Sequence, residues 1–164
     1  MRHARSGDRP VGNSYGTRSP VFGTRGVIAC SHPLASAAGV QVFQDGGNAV
    51  DAAVAAAAVL AVVEPSMTSI GGDVFALVYD GASRKLTALN STGRAGARAD
   101  ADRLVASGLR EMPAHGPYTV TVPGAVAGWA ELLHSRGTMS LARALAPAIR
   151  FARDGHAVTD IVAE

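Results

Sequence analysis

Arg94 is the residue of this chain whose type and position best suit the binding of a small anion. It lies in Asn90-Ser91-Thr92-Gly93-Arg94-Ala95, directly after a β-rich run, at what reads as the end of a sheet. A guanidinium fork there can hold a carboxylate through two parallel charge-assisted hydrogen bonds. The other reading is a surface Arg paired with a neighbouring carboxylate. A second feature is the loop of small residues closed by Gly71, Gly72 and Asp73. Bare backbone N–H groups in a Gly turn can face an anionic ligand. Alternatively, the Gly pair supplies positive φ and lets two layers pack closely, and that role is preferred. The loop is neither G-x-G-x-x-G nor a phosphate-binding P-loop, so nucleotide binding has no support.

Other reactive side chains form no constellation. The five histidines, at 3, 32, 115, 134 and 156, include no pair at metal-ligand spacing, and only one cysteine is present. Neither a metal nor an organic cofactor is expected. His32, just ahead of Pro33, reads as a local hydrogen-bonding residue at a helix start. No serine sits in a G-x-S-x-G elbow. Cys30 reads as an inert buried thiol, with no indicated cation or helix N-terminus to lower its pKa.

The elements that would position these groups can be read in chain order. Residues 25–31 (RGVIACS) read as a short buried strand. Pro33 suits the first turn of a helix through Leu34, Ala38 and Val42 that stops at Gly46-Gly47. Asn48 can cap the next helix, with Asp51 placing negative charge in its first turn. That Ala-rich helix ends before Pro65, and so short a connection predicts antiparallel packing of the two. Residues 74–79 and 85–90 flank the turn signal DGASR and predict a hairpin whose first strand is mostly buried. A short helix follows over 101–107, then an extended 119–122. Pro123-Gly124 turns the chain into a helix with Val126, Trp129 and Leu133 on one face. Ser140 caps a last amphipathic helix through Leu141, Ala144, Leu145, Ala148, Ile149 and Ala152. Pro147 should kink or restart it, and Gly155 should end it. Helices and strands in mixed order, with a hairpin and no βαβ repeat, give the fold class α+β.

A length of 164 residues allows one domain, and 48% hydrophobic against 17% charged residues fits a globular chain. The formal charge of +2 conceals an asymmetry, because five Arg against a single Asp fall within residues 1–26. Residues 1–17 read as a disordered basic leader and 18–164 as the folded domain. The basic tail is not read as a nucleic-acid surface. The longest apolar run, 52–63, is shorter than the roughly 20 residues needed to span a bilayer, so no membrane partner is expected. A lone cysteine and a leader without an apolar core make the cytoplasm the expected compartment.

Taken in order, several motifs resemble the γ-glutamyltransferase family. They are R-S-P-V-F-G-T-R-G at 18–26, S-H-P-L-A-S at 31–36, G-G-N-A-V-D-A-A-V-A at 46–55 and E-P-S-M-T-S-I-G-G-D at 64–73. V-P-G-A-V-A-G-W at 122–129 and L-A-P-A-I-R-F-A at 145–152 complete the set. The resemblance implies the N-terminal portion of an N-terminal-nucleophile-hydrolase αββα sandwich. It also implies a precursor that cuts itself and a new N-terminal Thr that attacks γ-glutamyl amides, with its own α-amino group as general base. That Thr and the oxyanion-stabilising glycines belong to the small subunit, so no catalytic residue maps onto this chain. The implied partners are a γ-glutamyl small-molecule or peptide substrate and the remaining part of the same precursor. The 164-residue chain alone is expected to be inactive.

In mainstream members the loop after the hairpin reads roughly F-R-E-x-A-P, and its Arg holds the donor's α-carboxylate. Here it reads S-T-G-R-A-G, with Thr92 at the Arg position, Arg94 two positions later and Gly96 in place of Pro. The loop form resembles the γ-glutamyltransferase-like branch, which includes relatives of cephalosporin acylases. Arg94 is the substrate-binding residue the resemblance implies. A glutaryl-type acylase and a non-catalytic fragment are the alternative readings.

Overall fold

The computed structural model describes residues 21–163. The leader assigned to residues 1–17 therefore lies outside the described residues. Among the described residues, six α-helices and one hairpin make up the regular structure: α1 (Pro33–Gln44), α2 (Ala49–Val63), β1 (Val74–Asp80), β2 (Lys85–Ser91), α3 (Ala101–Ala106), α4 (Ala125–Arg136), α5 (Leu141–Asp154) and α6 (Asp160–Ala163). A single 3-10 turn, Pro117–Thr119, lies between α3 and α4. The class is α+β.

Local chemistry explains where the helices begin. His32 caps α1, its Nδ1 accepting from the Leu34 N–H at 3.1 Å, and Pro33 occupies the first turn. Asn48 caps α2 in a reciprocal box: its Oδ1 accepts from the Val50 and Asp51 N–H groups, while Asp51 accepts from the Asn48 N–H. Ser140 caps α5 through the Arg143 N–H. Gly155 ends it at φ 83°, a conformation that costs glycine little. The helix is continuous through Pro147, so it does not restart there.

Small residues let the helices pack closely. Ala35 of α1, Ala55 and Val59 of α2 and Ala144 of α5 are fully or almost fully buried, and α2 packs against α1, α4 and α5. From α4 the buried side is Ala125, Gly128, Trp129, Leu132 and Leu133. Val126, expected on that side, is 39% exposed.

Asp51 fastens this layer. It is wholly buried, yet it is a carboxylate. Its oxygens accept from the Asn48 N–H (2.8 Å), the Thr138 N–H (2.9 Å), the Thr138 hydroxyl (2.7 Å) and the Met139 N–H (3.0 Å). Burial opposes its charge, but the Thr138 hydroxyl and the backbone N–H groups of Asn48, Met139 and Thr138 outweigh it. The carboxyl is held below its ordinary range. The start of α2 is thereby bonded to the junction between α4 and α5.

Strands β1 and β2 pair antiparallel, from Val74 opposite Ser91 to Asp80 opposite Lys85. Two expectations fail here. Residues 25–31 form no strand, and Val27 is 61% exposed; an apolar run becomes a strand only with a partner to complete its hydrogen bonds. Strand β1 is not mostly buried either. Val74, Ala76 and Val78 face the helices, whereas Phe75, Leu77 and Tyr79 on the other face are 66%, 74% and 63% exposed.

Candidate functional site

Three segments meet at the open end of the hairpin, where β1 begins and β2 ends. They are the loop closed by Gly71-Gly72-Asp73, the stretch 91–96 at the end of β2, and a strap over 120–124 leading into α4. The strap ties the other two together. Gly124 and Ala125 both donate backbone N–H groups to the Gly72 carbonyl, at 3.0 and 2.9 Å. Val122 donates its N–H to the Arg94 carbonyl at 2.8 Å. The Ser91 hydroxyl donates to the Gly124 carbonyl at 2.8 Å. Thr121 completes the lacing, with its Oγ1 3.0 Å from the Thr92 carbonyl and 3.3 Å from Asp73 Oδ1.

Glycine is required where the strap and the second loop touch. Gly93 has φ 78°, and a Cβ on it would collide with the Val122 carbonyl oxygen. A Cβ on Gly124 would meet the backbone of Ser91 and Gly93. The Gly71-Gly72 pair does not play the part expected of it. Neither residue has positive φ, and a Cβ on either would find only ordinary van der Waals contact. What the loop contributes is the Gly72 carbonyl, as a double acceptor. The glycines that matter lie at 93 and 124.

Arg94 is held by its backbone and free at its side chain. Its carbonyl is bound to the strap, while the side chain is exposed and makes no ion pair among the described residues. Asp73 is likewise exposed, and among the described residues it pairs with no cation. Sequence reasoning assigned Asp73 no chemistry, and the signal was thin: one acidic residue after two glycines. Beside Asp73 opens a cavity of about 490 Å³ whose wall includes Met67, Ser69, Gly72, Phe75 and Trp129. The indole N–H of Trp129 is buried without an acceptor among the described residues. A second cavity of about 430 Å³, on the side of Ala95, is lined by Arg98, Arg103, Tyr118 and Thr121.

The remaining reactive groups stand apart from this site. Cys30 is half-buried, with its sulfur 3.0 Å from the Ser36 hydroxyl and 3.7 Å from the His32 carbonyl. His32 is buried at the start of α1, its Nε2 unpartnered among the described residues. Among the described residues no group of three or more His, Cys, Asp or Glu could hold a metal ion, and no helix is long and apolar enough to cross a membrane. The site as described can bind an anion at Arg94 and a cation at Asp73. Neither group is a nucleophile poised beside a base.

Residues 35–164 match the sequence profile described as Gamma-glutamyltranspeptidase. A glutathione hydrolase proenzyme from Bacillus subtilis (strain 168) is 39% identical over 146 residues, which are 87% of this chain and 25% of that protein. Among solved structures, Helicobacter pylori γ-glutamyltranspeptidase superposes with a TM-score of 0.79 at 35% identity, over 88% of this chain and 42% of that one. A cephalosporin acylase from Bacillus halodurans superposes with a TM-score of 0.76 at 42% identity, over 92% of this chain and 29% of that one. The chain therefore spans about a quarter of the curated glutathione hydrolase that it matches. With a profile match over most of its length and the α+β arrangement shared with solved members, the chain belongs to the γ-glutamyltranspeptidase family.

Proposed function

We propose that this chain forms the donor-binding edge of a γ-glutamyltransferase-like enzyme acting on glutathione-like γ-glutamyl amides. The observation that carries the reading is Arg94, exposed and unpaired among the described residues on a loop whose backbone is laced to the strap. A fixed backbone places the unpaired guanidinium where its fork can meet the donor's α-carboxylate through two parallel charge-assisted hydrogen bonds, and only the side chain itself has to be ordered on binding.

The chemistry belongs to another part of the precursor. An N-terminal Thr, released by self-cleavage, attacks the γ-carbonyl with its own α-amino group as base, and the acyl-enzyme passes the γ-glutamyl group to water or to an amino acid or peptide. Arg94 contributes binding: it holds the donor's head equally in the ground and transition states, while the Thr acts at the γ-carbonyl. No metal or organic cofactor enters this scheme. The partner subunit is the rest of the same precursor, and the 164-residue chain by itself is inactive.

The test is maturation and turnover of the full-length precursor carrying this chain. The expected result is two polypeptides, the smaller beginning with Thr, and release of nitroaniline from a γ-glutamyl anilide. An uncleaved precursor without turnover overturns the reading. A second reading, hydrolysis of a glutaryl-type amide, is favoured by Thr92 at the usual Arg position and by the likeness to a cephalosporin acylase. Preference for a glutaryl over a γ-glutamyl anilide selects it.

A further inference from the structure

We propose that the cavity on the Ala95 side of the strap is a second ligand site, suited to a small carboxylate with a flat apolar body. The inference goes beyond the γ-glutamyl reading and does not depend on it. The cavity holds about 430 Å³, within the span of about 300–1,000 Å³ usual for small-molecule sites. Its walls are the stretch from Ala95, helix α3 and the chain from Pro117 to Thr121. Each wall is pinned by hydrogen bonds of its own. The Ala99 N–H donates to the Gly96 carbonyl at 2.8 Å, and the Leu104 N–H to the Asp100 carbonyl at 3.2 Å. Thr119 donates its hydroxyl to the Gly116 carbonyl at 2.8 Å, and Thr121 donates its own to the Thr92 carbonyl at 3.0 Å.

The lining asks for two kinds of contact. Arg98 and Arg103 bring two guanidinium groups, both exposed and without an ion pair among the described residues. Asp100 is the one acidic side chain in that lining among the described residues, and its Oδ1 accepts from the Asp102 and Arg103 N–H groups at 2.9 and 3.2 Å. One positive charge is left over, on forks that suit a carboxylate. Leu104, Pro117, Val120 and the Tyr118 ring supply apolar surface instead. Tyr118 and Val120 are largely open to solvent, so covering them with an apolar body is favourable. A small hydrated anion would meet the arginines and leave that surface wet. A benzoate-like molecule meets both. Arg94 does not line this cavity, although the strap borders both places.

The experiment is calorimetric titration of the full-length precursor with benzoate, benzamide, acetate and inorganic phosphate. Wild type, Arg98→Gln, Arg103→Gln and Arg94→Ala are compared; all three side chains are exposed, so folding is little affected. Benzoate binds the wild type with a Kd of about 1 mM or tighter. Benzamide lacks the charge, and acetate and phosphate lack the apolar body; each binds roughly tenfold more weakly or not at all. Arg98→Gln and Arg103→Gln each weaken benzoate roughly tenfold, and Arg94→Ala leaves it within about twofold. Absence of benzoate binding overturns the proposal, as does binding that survives both Arg98→Gln and Arg103→Gln. Acetate or phosphate as tight as benzoate overturns it by removing the apolar contact. Loss in Arg94→Ala overturns it too, because the ligand then sits at the Arg94 site. None of these readouts needs turnover, so failure of the γ-glutamyl reading is distinguished from failure of the cavity.

Discussion

The helical layer and the hairpin end of this molecule are held together in different ways. In the layer built from α1, α2, α4 and α5, cohesion comes from buried small side chains and from one carboxylate, Asp51, whose partners at Thr138 and Met139 lie 87 and 88 residues away. At the hairpin end, the loops around Asp73 and Arg94 are joined mainly by backbone hydrogen bonds to the strap, and their charged side chains stay in solvent. One region spends its polar groups on its own fold; the other keeps them available. A charge that is fully satisfied internally reads as structure, and a charge on a fixed backbone with an open side chain reads as function.

The largest effect should come from breaking the layer. Asp51→Ala leaves the N–H groups of Asn48, Thr138 and Met139 without their acceptor inside a packed core, a loss of about 3 kcal/mol or more. Urea unfolding against the wild type measures it, and a change below about 1 kcal/mol would remove Asp51 from the account. Next in size is the contrast between the two faces of β1. Val78→Lys, on the face packed against the helices, should cost about 2–3 kcal/mol, whereas Leu77→Lys on the exposed face should cost less than about 1 kcal/mol. Equal costs would mean that both faces are covered.

A smaller effect concerns pH. The folded-state pKa of Asp51 lies below its unfolded value, so its contribution is fully present above the ordinary Asp range. It is lost as pH falls from there through the folded pKa. Stability should therefore fall on acidification below about pH 4, and Asp51→Asn should flatten that part of the profile. A profile identical in Asp51→Asn and wild type would show that Asp51 does not titrate in this window.

The same division decides what could be read from the amino-acid sequence. His32-Pro33, Asn48 and Ser140 announced their helices because a cap acts on neighbours two or three residues away. The hairpin was equally local, with its turn between the runs. The exposed face of β1 was not, because alternation says that two faces exist and not which one the helices cover. Residues 25–31 were misread for lack of a partner strand. The weight placed on Gly71-Gly72 belonged to Gly93 and Gly124, whose need for glycine arises only where two loops distant in sequence touch. Asp51 was legible as a helix-start acid and illegible as the bond between α2 and the α4–α5 junction. Arg94 was singled out from its place after a strand; Asp73 and Thr121 needed the strap to bring them together.

The most direct test of the central claim is the kinetics of Arg94→Ala in the matured full-length enzyme on a γ-glutamyl anilide. The exposed side chain makes the substitution nearly silent for folding, within about 0.5 kcal/mol. The account predicts a KM raised roughly 10- to 100-fold, with kcat much less affected, because the guanidinium holds the donor and leaves the chemistry to the Thr. An unchanged KM would contradict it, and the open charge at the end of the hairpin would then be surface and not site.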